Sequence, residues 1–368
     1  MEISHTKKIL FFTQLNQISQ AGSTLNALSI AKELRKFNVD VKHLSFGHSY
    51  RSYSFDNVEC QDLRLRKNAL LGIFIHVVNT TIIISQLMKG YQFVVYGVPH
   101  GRVSLLCAAR IFRRTIIFRS TMFGDDDLAS IRFKLPVTWF LLKRSRVIYW
   151  AITPEFYQAA LGLDIFKVVH FSQGCRFPVT TSSTSNKFQH KQLKYLAVGH
   201  LIKRKGVLDL IRLIDELNIK MAFVGHNDLT IPSSLRHLKE EMFEMRSKLL
   251  DRAKVIGPAE SVSLHFAEND IFLHFALKEG LPNVVIEAMA HGCVSLVRRL
   301  PGIEGYLIEH GINGFLFDTI DDAIEIIKGL ETNSYNLDEI SHQAKRTIQQ
   351  NFSINLTSKK LLNELYDN

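Results

Sequence analysis

At 368 residues, 46% hydrophobic and 22% charged, the chain has an ordinary globular composition and the length of two domains. Its four cysteines, Cys60, Cys107, Cys175 and Cys293, stand far apart, which excludes CxxC redox and zinc-ribbon spacings and reads as buried reduced thiols of a cytosolic protein. The net charge of +10 is uneven: residues 1–185 hold 23 Lys and Arg against 11 Asp and Glu, and residues 186–368 hold 22 against 24.

The chain opens on "KKILFFTQ", read as a first strand rather than a signal peptide. "QAGSTLNALSIAKELRKFNVDV" follows, with a helix over 23–37 and a strand at "VDVKHLSF". Residues 69–88 are twenty mostly apolar residues, but His76, Asn79, Thr80, Thr81, Ser85 and Gln86 interrupt them. That density of polar groups predicts a soluble core helix rather than a membrane span. Strands are then expected at "YQFVVYGV", "RTIIFRS" and "RVIYWAI", with helices at 101–112 and 154–162 between and after them. Asp125, Asp126 and Asp127 precede an apolar run; they read as a helix N-terminus rather than a metal site.

The polar stretch "TTSSTSNKFQH" at 180–190 reads as a linker. Beyond it come strands at "LKYLAVG", "KMAFVG", "AKVIGP", "DIFLHFAL", "CVSLVRR" and "GFLF", with helices near 206–218, 233–249, 283–291 and 320–330. Short apolar strands alternating with helices predict parallel sheets covered on both faces, in two Rossmann-like domains with a ligand in the cleft between them. The expected boundaries are 1–180 for the first domain and 190–350 for the second. A helix over 351–368 is expected to pack back toward the first domain. GxGxxG is absent after every strand, which argues against a dinucleotide enzyme. HExxH is absent too, and no helix-turn-helix, RRM or zinc-finger signature supports a nucleic-acid partner.

Two motifs carry chemistry. In "FALKEGLPNVVIEAMAHG", residues 275–292, a buried strand runs into a loop and a helix, with Glu279 before the helix and Glu287 inside it. Pro282 suits a first helical turn, Gly280 a close backbone approach and Gly292 a helix end. The amides of Asn283, Val284 and Val285 are expected to be open to an anion. Read alone, the two glutamates fit helix-start electrostatics as well as a pair of acceptors for ligand hydroxyls. In "LAVGHLIKRKGVLDLI", residues 196–211, a strand ends at Gly199, a loop carries Lys203, Arg204 and Lys205, and Gly206 opens a helix. Read alone, such a cluster fits a solvated helix start as well as an anion site.

The first stretch closely resembles the E-x₇-E segment of retaining GT-B glycosyltransferases of family 4, and the second resembles that family's Arg-Lys-Gly loop. The resemblance is sharpest over 193–318. It implies a GT-B α/β fold of two Rossmann-like domains facing each other across a cleft, with 1–180 binding the acceptor and 190–350 the nucleotide sugar. It assigns Glu279 to the transferred sugar, Glu287 to the ribose, and the backbone of Gly280, Leu281, Pro282 and Asn283 to sugar and diphosphate. It assigns Lys205 to the diphosphate with help from Arg204, beside Gly199. His200 stands where the family has arginine. Gly22 and Ser23 match its N-terminal glycine loop, on the acceptor side. Arg119 falls where many members carry a histidine near the sugar, so it joins Glu279 and Lys205 as a catalytic candidate. The implied activity is sugar transfer from a nucleotide diphosphate sugar to a glycan or lipid-linked acceptor, in cell-surface polysaccharide or glycolipid synthesis. No metal or other cofactor is implied. The alternative is a catalytically degenerate GT-B module that binds nucleotide sugar or glycan as a scaffold.

The basic first half predicts an anionic partner: an acidic ligand, nucleic acid or an anionic membrane. Joined to the resemblance, a cytoplasmic protein peripheral to the inner face of the plasma membrane is expected. The candidate contacts are Arg64, Arg66, Lys67, Arg113, Arg114, Lys143, Arg144 and Arg146, with Phe133, Leu135 and Trp139 inserting.

Overall fold

The computed structural model describes residues 6–14, 22–47, 50–64, 69–163, 167–177, 187–188, 192–226, 236, 238–259 and 261–366. The chain divides into two units, Met1–Gly174 with Ile354–Asn368, and Cys175–Ser353. It leaves the first unit after Gly174, upstream of the polar 180–190 stretch, of which Lys187 and Phe188 are described.

The first unit is built on one sheet of β1 (Lys8–Phe12), β2 (Asp40–Gly47), β3 (Arg51–Phe55), β4 (Val58–Arg64), β5 (Gln92–Tyr96), β6 (Ile116–Arg119), β7 (Val147–Ala151) and β8 (Lys167–His170). The order is β3-β4-β2-β1-β5-β6-β7-β8, parallel throughout except for the β3–β4 pair. Side chains such as Ile9, Phe11, Phe93, Val94 and Ile117 are buried, because helices cover both faces of a parallel sheet. Those helices are α1 (Gly22–Leu34), α2 (Ala69–Met88), α3 (Arg102–Ile111), α4 (Leu128–Lys134), α5 (Pro136–Arg144) and α6 (Pro154–Leu161).

Three features depart from the sequence expectation. First, β3 and β4 form an antiparallel edge hairpin whose turn residues, Asp56 and Asn57, both have positive φ (50° and 65°). That is the mirror-image turn matching strand twist. Second, the run after Asp127 is two helices, not one, because Pro136 opens α5 just after α4 ends. Third, α2 is not a core helix all round. It buries Ile75, Asn79, Ile83 and Leu87 but leaves Ile73 72% and Phe74 65% exposed. Among the described residues no helix is long and apolar enough to cross a membrane.

The second unit is a sheet of β9 (Tyr195–Val198), β10 (Met221–Val224), β11 (Ala253–Ile256), β12 (Ile271–His274), β13 (Val294–Arg298) and β14 (Phe315–Phe317), in the order β11-β10-β9-β12-β13-β14 and all parallel. It carries α7 (Val207–Leu217), α8 (Lys239–Leu249), α9 (Ser263–Glu268), α10 (Asn283–Ala290), α11 (Ile320–Glu331) and α12 (Leu337–Asn351). The chain runs outward from β9 to β11, then returns to build β12 on the other flank of β9. The strand order therefore reverses between β9 and β12, which is where open α/β sheets bind ligands.

The last helix, α13 (Ile354–Tyr366), belongs to the first unit. The Tyr366 hydroxyl donates to Lys8 O and accepts from Lys8 N, both at 2.7 Å, and Thr357 Oγ1 donates to Ser172 O at 3.1 Å.

The reversal point is held by glycine. Gly206, between the 203–205 turn and α7, has φ +72°, and a Cβ there would stand 2.0 Å from Phe275 O. Gly311, at φ +79°, has open space around it. We therefore expect Gly311→Ala to cost only about 1–2 kcal/mol of left-handed strain. Gly206→Ala should cost clearly more, because the end of β12 must move. Urea denaturation of the two variants checks the difference.

Candidate functional site

The loops after β9 and β12 meet at this point. Leu277 N donates to Arg204 O at 2.8 Å, and the Arg204 guanidinium donates to Lys278 O at 2.9 Å. Lys205 Nζ bonds Glu279 Oε1 directly, and Arg204 lies 3.7 Å from the same oxygen. Burial works against the Glu279 anion, but the Lys205 cation, then His274 and Arg204, hold its carboxyl below the usual range. Beneath the pair, His274 at the end of β12 is buried. Desolvation pushes it down to about 4, and its Nε2 has no hydrogen-bond partner among the described residues.

The α10 start differs in detail from expectation. Pro282 stands at the N-cap, just ahead of the helix, and its carbonyl accepts from Val285 N at 3.2 Å and Ile286 N at 3.4 Å. The Val285 amide, expected to be open to an anion, is thus already engaged. Gly280, Leu281 and Pro282 are buried and Asn283 is half-buried. Gly292, at φ +74°, follows the helix end, and a Cβ there would meet Lys345 Cε at 2.3 Å. Glu287, inside α10, is half-buried, and its carboxylate is in no hydrogen bond or ion pair among the described residues. Burial pushes its carboxyl up to about 7.

On the β9 side, Gly199 has φ +154° and precedes His200, which is half-buried. The His200 ring stacks on the His226 ring, from the end of the neighbouring β10, with centroids 5.4 Å apart and planes at 23°. His226 was not singled out in the sequence, and spacing gave no role to His274, which flanks the glutamate motif. A signal for the first existed: Val198-Gly199-His200 and Val224-Gly225-His226 are the same tripeptide at the ends of adjacent strands.

In the first unit the candidates fare differently. Gly22 is the first described residue of α1 and Ser23 is half-buried; the rest of the glycine loop, 15–21, lies outside the described residues, as do Arg66 and Lys67. Arg119, a catalytic candidate by resemblance, is only 2% exposed and is held in packing. One arm donates to Asn26 Oδ1 at 2.7 Å and the other to Gln173 Oε1. Its faces lie 4.4 Å from the Tyr96 centroid and 4.8 Å from that of Trp150. Asn26 in turn donates to Gln173 O and Gly174 O, at 2.9 and 3.0 Å. The guanidinium thus joins β6 and α1 to the segment leaving the unit. The Asp125–Asp127 run is absorbed locally. Asp127 caps α4 through Ser130 N at 2.9 Å, and Asp126 accepts from Thr121 N and Met122 N at 2.8 Å each. Among the described residues no cluster could hold a metal ion.

Residues 192–333 match the family described as Glycosyl transferases group 1. An uncharacterized glycosyltransferase of Haemophilus influenzae is 30% identical over 153 residues, 39% of this chain and 40% of that protein. The GPI3 subunit of phosphatidylinositol N-acetylglucosaminyltransferase from Saccharomyces cerevisiae is 25% identical over 293 residues, 70% of this chain and 63% of that one. The chain therefore spans less than two thirds of the length of these curated relatives. Among solved structures, HepE of Anabaena in complex with UDP and glucose superposes with a TM-score of 0.75 at 18% identity, over 98% of this chain and 100% of that one. The shared fold is GT-B.

Two expectations follow. Glu287 keeps its proton to a higher pH in the folded protein than in the unfolded chain. Between pH 4.5 and about 7 the unfolded chain releases that proton first, so rising pH through this window removes stability. Glu287→Gln should therefore gain on the order of 2 kcal/mol over wild type at pH 8 and nothing at pH 4, in denaturant titrations. Arg119→Ala should lose about 3 kcal/mol or more of stability, from two buried acceptors left short of a donor and a cavity. Its nucleotide affinity should not change, as calorimetry can check.

Proposed function

We propose that this chain, which belongs through residues 192–333 to the glycosyl transferases group 1 family and has the GT-B fold, moves a sugar from a nucleotide diphosphate sugar to a glycan or lipid-linked acceptor with retention of configuration, in cell-surface polysaccharide or glycolipid synthesis. The observation that carries the reading is the Lys205–Glu279 pair at the strand-order reversal, followed within α10 by an unpaired, half-buried Glu287. The second unit holds the donor. Lys205 and Arg204 meet the diphosphate, Glu279 accepts from hydroxyls of the sugar, and Glu287 accepts from the ribose. The loop cations supply the positive charge, so the reading assigns no metal or other cofactor. HepE of Anabaena, captured with UDP and glucose on the same fold, supports a nucleotide sugar as the donor.

In the reaction the bond from the anomeric carbon to the diphosphate oxygen breaks, and the acceptor oxygen attacks from the same face. Its proton passes to the departing diphosphate. The protein contributes position and fixed charge rather than a covalent intermediate. Lys205→Ala should lower turnover by about 10²–10³, the scale for losing one charge-stabilising group. Its melting temperature should stay near that of wild type. Wild-type turnover in a well-folded variant would remove the assignment.

The acceptor side belongs to the first unit, which the same reading docks on the anionic cytoplasmic face of a membrane. Support comes from α4 and α5. Phe133 is 84% exposed, Val137 and Phe140 are also exposed, and the Arg144 guanidinium lies 3.7 Å from the Phe140 centroid. Lys143 and Arg146 are exposed beside them. Leu135 and Trp139, expected to insert, are half-buried, so Val137 and Phe140 take their place in the reading. Each Lys or Arg near an anionic surface contributes about 1 kcal/mol. Co-sedimentation with anionic but not neutral vesicles is expected. It should be lost at 1 M salt, where the Debye length is about 3 Å, and on reversing the charges of Lys143, Arg144 and Arg146. Equal sedimentation with both vesicle types counts against docking.

A further inference from the structure

β9 and β10 are paired in register, Val198 against Val224, and each ends in Val-Gly-His. Gly225 has φ +153°, and a Cβ on it would stand 1.8 Å from Gly199 O. The two backbones therefore touch where any side chain would hold them apart. That contact brings both histidines to one edge of the sheet, His226 buried and His200 half-buried, with stacked rings. We propose that His226 is a second imidazole of the donor clamp, and that the His200–His226 pair takes up a proton when a nucleotide diphosphate sugar binds. The inference rests on the donor-site reading above.

Charge balance motivates it. The loop carries three cations, but its neighbours offset much of their charge. Lys205 is paired with Glu279, and Arg204 lies close to the same carboxylate. Lys203 lies 3.4 Å from Glu244, and its amide donates to Glu241 at 2.6 Å. Among the described residues, the charged and titratable groups on the elements around the pair include Lys203, Arg204 and Lys205 on its own loop, Glu241 and Glu244 on α8, and His274, Lys278 and Glu279 on the β12 side. A diphosphate diester brings two further negative charges. Free imidazole titrates near pH 6.5, within reach of a modest perturbation. Stacking two imidazoles discourages a charge on both, and an anion placed against them favours charge. Buried His274 is kept neutral far below that range.

The test is calorimetric binding of UDP-glucose, UDP-N-acetylglucosamine and GDP-mannose from pH 6 to 8.5, in two buffers of different ionisation enthalpy. These diphosphate diesters do not themselves titrate there. Wild type should bind at least one of them with net proton uptake and with affinity falling several-fold per pH unit above 7. His226→Phe keeps an aromatic ring in the stack but has no N–H. It should flatten the pH dependence to within about twofold and weaken binding several-fold at pH 6. Glu287→Gln should weaken binding, because Glu287 accepts from the ribose, but should keep the fall in affinity with pH. A full slope in His226→Phe, or a slope lost only in Glu287→Gln, overturns the inference while leaving the donor site in place. Wild type that binds none of the three at any pH removes the donor-site reading itself. Should His226→Phe fail to fold, His226→Asn replaces it; absence of buffer-dependent heat in wild type overturns the proton uptake without any variant.

Discussion

A carboxylate withdrawn from water needs a cation, and the second unit meets that need at one place. Glu279 lies at the reversal of strand order, largely shielded from solvent, with Lys205 in direct contact. Either charge alone would be costly there; together they make a nearly neutral knot that ties the loop after β12 to the loop after β9. The backbone bond from Leu277 to Arg204 and the close passage of Gly206 beneath Phe275 tie the same two loops. The groups that would meet a ligand are therefore fixed by sheet ends rather than by mobile side chains, which is how a site is preorganised.

The first unit solves the opposite problem. Arg119 is a buried cation whose arms end on the amide oxygens of Asn26 and Gln173, with aromatic rings of Tyr96 and Trp150 over it. Neutral acceptors and ring faces spread the charge without cancelling it. Burial accordingly draws the Arg119 guanidinium below its ordinary value. The same amino-acid class thus does two different jobs: Arg204 stands half-buried at a loop edge beside Glu279, and Arg119 is sealed into packing.

That contrast explains what could be read from the letters. Strands such as "DIFLHFAL" and "LKYLAVG" were legible because double coverage demands unbroken apolar runs. The placement of Glu279 ahead of α10, of Glu287 inside it and of Lys205 before α7 was legible because a loop-helix start carries a local pattern. The packing of Arg119 was not legible, because it depends on Asn26 and Gln173, which lie 93 and 54 residues away in sequence. The β3–β4 hairpin escaped notice because its turn is Asp56-Asn57, without the glycine that usually announces such turns. The face of α2 was hidden because its polar residues do not mark one side: Asn79 and Gln86 are buried while Ile73 and Phe74 are exposed. The repeated Val-Gly-His was visible, yet its meaning needed the register of β9 against β10.

The return of α13 to the first unit has a consequence for how the protein is made. Tyr366 closes on Lys8, and Thr357 on Ser172, across a whole second unit of intervening chain. On a ribosome, the second unit, Cys175–Ser353, is complete before the helix that finishes the first unit emerges. At about 5–20 residues per second, the sheet of the first unit waits roughly ten seconds or more with the α13 side of α1 uncovered. The first unit is begun first and finished last, so its exposed apolar surface is the interval during synthesis when a chaperone would have most to hold.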